Sequence, residues 1–239
     1  IGLDEVVVVG YGTQRKKDLT GAVSDVTDVR LSKRNLTNTA DALQGEVSGV
    51  QVTNTTRPGD QAVIRVRGYG TLGNNNPLII VDGTEVANFN DLDPNDIQSV
   101  SVLKDAASSA IYGNRAANGV VVITTKKGKR GQQGLTYNMF LGWQEATNTV
   151  DMLNADQYVN LVNEATDNAG LARFWSDEDV EYWKGKDGTN WQDEMLQRAF
   201  MQNHYINYQG SSESSVYSLS FGYLGQDGIY KGTDYERFN

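Results

Sequence analysis

The sequence predicts an α+β region of short strands and small helices, followed by long antiparallel β-strands of a different kind. Three observations predict it. Charge divides unevenly: residues 1–134 carry 15 basic and 14 acidic side chains, a net of +1, whereas residues 135–239 carry 6 and 16, a net of -10. Hydrophobic patterning changes at the same place, from short apolar runs to period-two alternation. The stretch KKGKRGQQG, from Lys126 to Gly134, is rich in glycine and cations and reads as the linker between the two regions.

Bulk properties narrow the classes of function. A length of 239 residues allows one or two domains with a sizeable core. The net charge of -9 disfavours nucleic acid as a partner, because a phosphate backbone needs a basic surface. Cysteine is absent, which removes disulfides and thiol chemistry, and His204 is the one imidazole. The apolar runs VVVV, LIIV and VVVI are far short of the roughly 20 residues of a membrane helix. A transmembrane β-strand, apolar only at alternate positions, escapes that test. With no start methionine and no signal segment, the expectation is a chain that is cytosolic or already processed.

The first element is the run Val6 to Val9 in IGLDEVVVVGYGTQRKKD, flanked by Asp4, Glu5, Gly10 and Tyr11. Its β-branched residues read as a strand, but without alternation neither face is marked as outward. Further short strands are expected at Val47 to Val52, Ala62 to Arg67, Leu78 to Val81, Ile97 to Leu103 and Gly119 to Thr125. Asp82-Gly83 after LIIV is a hairpin turn signal. Asp105 is expected to cap an Ala-rich helical turn that Gly113 ends.

After the linker the strands alternate. In LTYNMFLGW, Leu135, Tyr137, Met139, Leu141 and Trp143 share one face and Thr136, Asn138 and Gly142 the other. VYSLSFGYL repeats this with Tyr217, Leu219, Phe221 and Tyr223, and HYINYQ adds His204, Ile206 and Tyr208. Between them lies a helical excursion, 145–198, with 12 acidic and 4 basic residues. Asn154 is expected to cap one helix, with Tyr158, Leu161, Val162 and Ala165 on its packing face, and Ser176 a second running to Lys184. One connection is thus long and acidic and the next a few residues around Gly210 to Ser215. Membrane β-barrels have this asymmetry. A soluble sandwich with one large insertion fits the pattern equally well.

Three motifs tempt and fail. GYGTLG, Gly68 to Gly73, matches a dinucleotide fingerprint, but Asn74-Asn75-Asn76-Pro77 follows where a helix must start to hold the pyrophosphate. DLDPND, from Asp91, opens like a calcium loop, yet its sixth position is Asp96 instead of Gly and its twelfth is Val102 instead of Glu. His204 has no Ser, Cys or carboxylate at a motif spacing. No constellation here makes an enzyme.

A family resemblance enters at SVSVLKDAASSAIYGNRAANGVVVITTKKG, Ser99 to Gly128. This block is similar to the plug domain of SusC/RagA-type TonB-dependent outer-membrane transporters of Bacteroidota. LDEVVVVGYGTQRKKDLTGAVSDV, ADALQGEVSGVQVT, AVIRVRGYGTLGNNNPLIIVDG and YSLSFGYLGQDGIYKGTDYERFN resemble further blocks of that family. The resemblance implies an α+β plug domain, a small mixed sheet with short helices, followed by the first antiparallel strands of a 22-stranded transmembrane β-barrel. Residues 1–12 are then a TonB-box segment, 13–131 the plug, and 132–239 about four barrel strands with the long loop 145–198 outside. The rest of the barrel lies beyond this chain.

The implied activity is TonB-dependent import of a large nutrient, an oligosaccharide or an oligopeptide, with no cofactor and no metal. The implied partners are TonB with its proton-driven motor, a SusD-like lipoprotein lid, the ligand and outer-membrane lipid, with transporter–lid pairs assembled as a dimer. On this reading Asp4, Glu5, Val6, Val7, Val8, Val9, Gly10 and Tyr11 form an unpaired strand that TonB captures. Asn74, Asn75, Asn76 and Phe89 meet ligand at the plug apex or serve plain turn chemistry, and Arg65, Arg67 and Arg115 pair with carboxylates on the barrel's inner wall or are solvated in the gap between plug and barrel. The competing reading is a soluble or surface β-rich glycan-binding or adhesion module without energy coupling.

Overall fold

In a computed structural model of the chain, the described residues are 6–9, 12–15, 23–27 and 38–239, less 56, 90, 91, 106–108, 129, 132 and 213. The first region holds strands β1 (Val6–Val9), β2 (Gly12–Arg15), β3 (Val23–Thr27), β4 (Val50–Thr53), β5 (Val63–Val66), β6 (Leu78–Val81), β7 (Thr84–Val86), β8 (Ile97–Leu103) and β9 (Val120–Thr125). The second holds β10 (Gly134–Gln144), β11 (Ala199–Ser211), β12 (Val216–Gln226) and β13 (Tyr235–Phe238). Helices α1 (Ala155–Asn168), α2 (Asp177–Trp183) and α3 (Trp191–Met195) occupy the excursion. The chain divides into two compact units: one comprises Ile1–Gly142, Met201–Gln226 and Asp234–Asn239, the other Trp143–Phe200 and Asp227–Thr233.

The centre of the first unit is a five-stranded mixed sheet in the order β3-β8-β9-β6-β7, with β6 and β9 parallel and the other pairs antiparallel. Its central strand explains the unalternating VVVI. Val121 and Ile123 pack with Val26, Val100 and Val102 under Leu43, Val52, Ile64 and Val66, while Val120 and Val122 pack with Leu78, Ile80, Leu103 and Ala116. Both faces are covered, so the first four positions of β9, Val120 to Ile123, are all apolar. The hairpin β4–β5 supplies one cover.

The Asp-Gly signal holds. Asp82 and Gly83 both take positive φ, 48° and 87°, between β6 and β7. The Asp82 carboxylate also accepts from the Thr125 amide at 3.1 Å and its hydroxyl at 2.5 Å, tying this turn to the end of β9.

The Ala-rich turn expected after Asp105 lies at 106–108, outside the described residues; Ser109, which follows it, donates its amide and hydroxyl to the Asp105 carbonyl, at 3.0 and 2.9 Å, and a 3-10 segment runs on from Ala110 to Ala116. Gly113, at φ 70° and ψ -160°, is non-helical and divides Ala110–Ala116 into two turns, ending the first as expected. The strand expected from Val47 begins at Val50, because Val47 is buried in the preceding turn and accepts at its carbonyl from the Val50 amide. Strands β3, β7 and β13 carry too few apolar residues to announce themselves.

In the second unit, Asn154 and Ser176 each close a capping box, with Gln157 and Asp179 respectively. Of the packing face expected for α1, Val162 is half-buried but Tyr158, Leu161 and Ala165 are exposed, and the buried residues are Val159 and Asn163. Asn163 bonds the Trp175 carbonyl and amide at 2.9 and 3.0 Å, and this polar clasp turns the helix away from its largest side chains.

The strands after the linker form one antiparallel sheet, β10-β11-β12-β13, with β11 and β12 in register from Met201↔Gln226 to Ser211↔Val216. The alternation read from sequence becomes two faces. Leu135, Tyr137, Met139, Leu141, Ile206, Tyr208, Tyr217, Leu219 and Phe221 are all exposed, whereas Asn203, Tyr205, Asn207 and Arg237 are buried.

Truncating a buried β9 side chain tests which strand carries the five-stranded sheet: Ile123→Ala should destabilise it by about 2–4 kcal/mol. A lowered urea midpoint of unfolding is the measurement.

Candidate functional site

Three parts of the first unit carry functional candidates: the amino-terminal hairpin, the 68–77 loop, and the contact of the plug with the four-stranded sheet. In the hairpin, β1 pairs antiparallel with β2 from Val6↔Arg15 to Val9↔Gly12. The valine run is therefore not an unpaired strand, because the chain folds back on it at once. It stands outside the five-stranded sheet, in a sheet of its own, and its second edge meets no strand among the described residues. Asp4, Glu5, Gly10 and Tyr11 lie outside the described residues.

The 68–77 loop is organised by Asn75, which is buried. Its side-chain oxygen accepts from the Gly70 and Thr71 amides at 2.8 and 2.9 Å, and its nitrogen donates to the Thr71 and Gly73 carbonyls at 2.8 and 3.0 Å. All four hydrogen-bonding positions of the amide are used, so Asn75 shapes the loop and has no capacity left for a ligand. Asn74 accepts from the Asn76 amide at 2.9 Å, and Asn118 donates to the Asn74 carbonyl at 2.8 Å. Asn74 and Asn76 are exposed, as are Tyr69 and Leu72, two side chains that sequence reasoning missed. Phe89, expected at the apex, is 5% exposed within the plug core, where an aromatic ring gains most from leaving water.

The three arginines find their partners inside the plug. The Arg65 guanidinium lies 4.5 Å from the Tyr69 ring centroid, Arg67 pairs with Asp105, and Arg115 pairs with Glu85. None of these partners is on the four-stranded sheet. Beside Arg67, Lys104 donates to the Ser48 carbonyl at 2.6 Å, and burial together with the Arg67 charge lowers its pKa.

Contact with the four-stranded sheet has the opposite polarity: the plug brings carboxylates and the strands bring the donors. Arg237 of β13 lies 3.8 Å from Asp93, the first buried to 7% exposure and the second to 1%. The Tyr205 hydroxyl of β11 donates to Asp96 at 2.8 Å. Both carboxylates belong to the DLDPND stretch. Its false likeness to a calcium loop hid this role, and one arginine beyond the alternating strands gave no sequence signal.

The outward face of that sheet is aromatic. Tyr137, His204, Tyr223 and Phe238 form a row of neighbouring rings across β10 to β13, with centroids 4.9–6.4 Å apart, and the Tyr137 hydroxyl lies 2.7 Å from His204 Nδ1. Along β11, Phe200 packs at a tilt against Trp143 and Tyr208 against Tyr217. Among the described residues no helix is long and apolar enough to cross a membrane.

Comparison with known proteins agrees with these features. The TonB-dependent Receptor Plug Domain family matches residues 15–120. The chain is 38% identical to the TonB-dependent receptor SusC of Bacteroides thetaiotaomicron, over 99% of the chain and 24% of that protein. It is 39% identical to a TonB-dependent receptor of Formosa agariphila over the same shares. The RagAB peptide importer in its open-open state superposes with a TM-score of 0.82 at 30% identity, covering 98% of this chain and 29% of that one. The chain thus spans about a quarter of the length of the relatives it matches. The relatives reported are receptors and an importer. A plug with a mixed sheet, followed by antiparallel strands whose apolar face is outward, places the chain in the TonB-dependent receptor family of the SusC and RagA type.

Proposed function

We propose that the chain is the plug and opening strands of an outer-membrane importer, taking up a large oligosaccharide or oligopeptide with energy delivered through TonB. The observation that carries this is the exposed aromatic and aliphatic face of β10 to β12. A water-soluble adhesion module hides such a face in its core, whereas a barrel strand presents it to lipid. A SusD-type lipoprotein lid and a dimer of transporter–lid pairs complete the reading. It takes the barrel as 22-stranded and the 145–198 excursion as an extracellular loop.

Capture by TonB uses the amino-terminal hairpin. An extended partner strand adds along an open edge by main-chain hydrogen bonds, and β-branched residues hold that edge extended. Val6–Val9 offers its second edge, or exchanges β2 for the partner. At the plug apex, Tyr69, Leu72, Asn74 and Asn76 are the side chains placed to meet ligand, while Asn75 holds the loop that presents them.

The full-length protein should require detergent for extraction and shift from a compact to an extended gel band on heating; release into buffer without detergent would favour the adhesion module. Proline at Val7 or Val8 removes a main-chain donor, and should abolish uptake while assembled protein and ligand binding persist. Loss of assembled protein instead would assign the valines to folding. Tyr69→Ala or Asn76→Ala should weaken binding of the cognate oligomer about three- to tenfold, on the scale of one lost contact, by calorimetry. Asn75→Ala should instead speed amide exchange across residues 68–77.

A further inference from the structure

We infer that the turn Asp93–Asp96 is the fixed attachment of the plug to the barrel wall, and that it stays docked while the rest of the plug rearranges for import. The inference rests on the import reading above.

Four strands converge on this one turn. Asp93 caps it, its Oδ1 accepting from the Asn95 amide at 2.8 Å and the Asn95 side chain at 2.9 Å. Its Oδ2 points into the wall, 3.8 Å from Arg237 Nη2 on β13. The space it enters exists because residue 222 of β12 is glycine: a Cβ there would lie 2.7 Å from Asp93 Oδ2. Gly222 cannot yield, since it exchanges backbone hydrogen bonds of 3.1 and 3.0 Å with Asn239. Asp96 accepts from Tyr205 of β11, and Asn138 of β10 reaches Asn95 at 3.5 Å. The turn runs directly into β8, and the Asp96 carbonyl accepts from the Lys126 amide, 2.8 Å away at the end of β9. The two strands with the least exposed side chains are thus tied to the wall at one point.

The order in which contacts yield follows from burial. Undocking the turn separates the buried carboxylate of Asp93 from the buried Arg237 guanidinium and takes Asp96 from the Tyr205 hydroxyl, and separating buried charges is expensive. The pairs inside the plug, Arg67 with Asp105 and Arg115 with Glu85, are exposed, and exposed pairs contribute little. A plug under load therefore rearranges internally before this turn leaves the wall.

The chain has no cysteine, so a single engineered pair reads cleanly. In the full-length transporter, Asp93→Cys with Gly222→Cys replaces the buried contact by a disulfide, and Asn95→Cys with Asn138→Cys spans the same turn from its exposed side should the buried pair misfold. Uptake is followed in cells with two fluorescein-labelled probes, a tryptic casein digest and a dextran hydrolysate, before and after oxidation, with closure of the disulfide read on gels. The expected result is uptake within twofold of the reduced protein. A fall of tenfold or more on oxidation, restored by reductant, would show that the turn must undock and overturns the inference. Uptake of neither probe by the unsubstituted protein would instead remove the import reading itself.

Discussion

Much of this structure follows from one inversion: the strands β10 to β13 turn most of their large apolar side chains outward and bury Asn203, Asn207 and Arg237 beside Met201 and Leu224. A sheet built this way cannot close its own core, so its inner face must be satisfied by something polar. The plug does this with Asp93 and Asp96, which meet Arg237 and Tyr205. The outer face is left for a medium that accepts leucine and aromatic rings, with the ring row from Tyr137 to Phe238 running across it.

The plug solves the ordinary problem of a soluble domain. Its central sheet is covered on both faces, one by the β4–β5 hairpin and its flanking turn, the other by the 110–116 segment, and Val120 to Ile123 of β9 are all apolar as a result. The same four-residue apolar run near the amino terminus has a different fate. Among the described residues Val6–Val9 pairs with Gly12–Arg15 alone, in a separate two-stranded sheet, and two-stranded hairpins are marginal by themselves. The contrast between two nearly identical runs is one of position in the sheet, which composition does not encode.

The polarity of the plug–wall contact is the clearest departure from expectation. Arg65 and Arg67 appear on a strand-like stretch next to a glycine-rich loop, and pairing with a distant carboxylate is the natural reading of such cations. They are answered locally, by Tyr69 and Asp105, because partners close in the fold hold a long flexible side chain at less entropic cost. Asn75 and Phe89 depart for related reasons: a buried amide must satisfy all of its own bonds, and a large ring is drawn into the nearest core.

The sequence by itself determined the strand periodicities, the Asp82-Gly83 turn, the caps at Asn154 and Ser176, and the change of architecture at the glycine-rich linker. These are local properties, set by side-chain alternation, backbone preference and hydrogen bonds within a few residues. Only the tertiary structure decided that the valine run doubles back on Gly12–Arg15, that α1 packs through Asn163, that Asn75 is spent on its own loop, and that Asp93 finds Arg237 across 144 positions of chain. Such pairings depend on which surfaces the folded strands bring together, and a buried charge acquires its partner only when those surfaces exclude water.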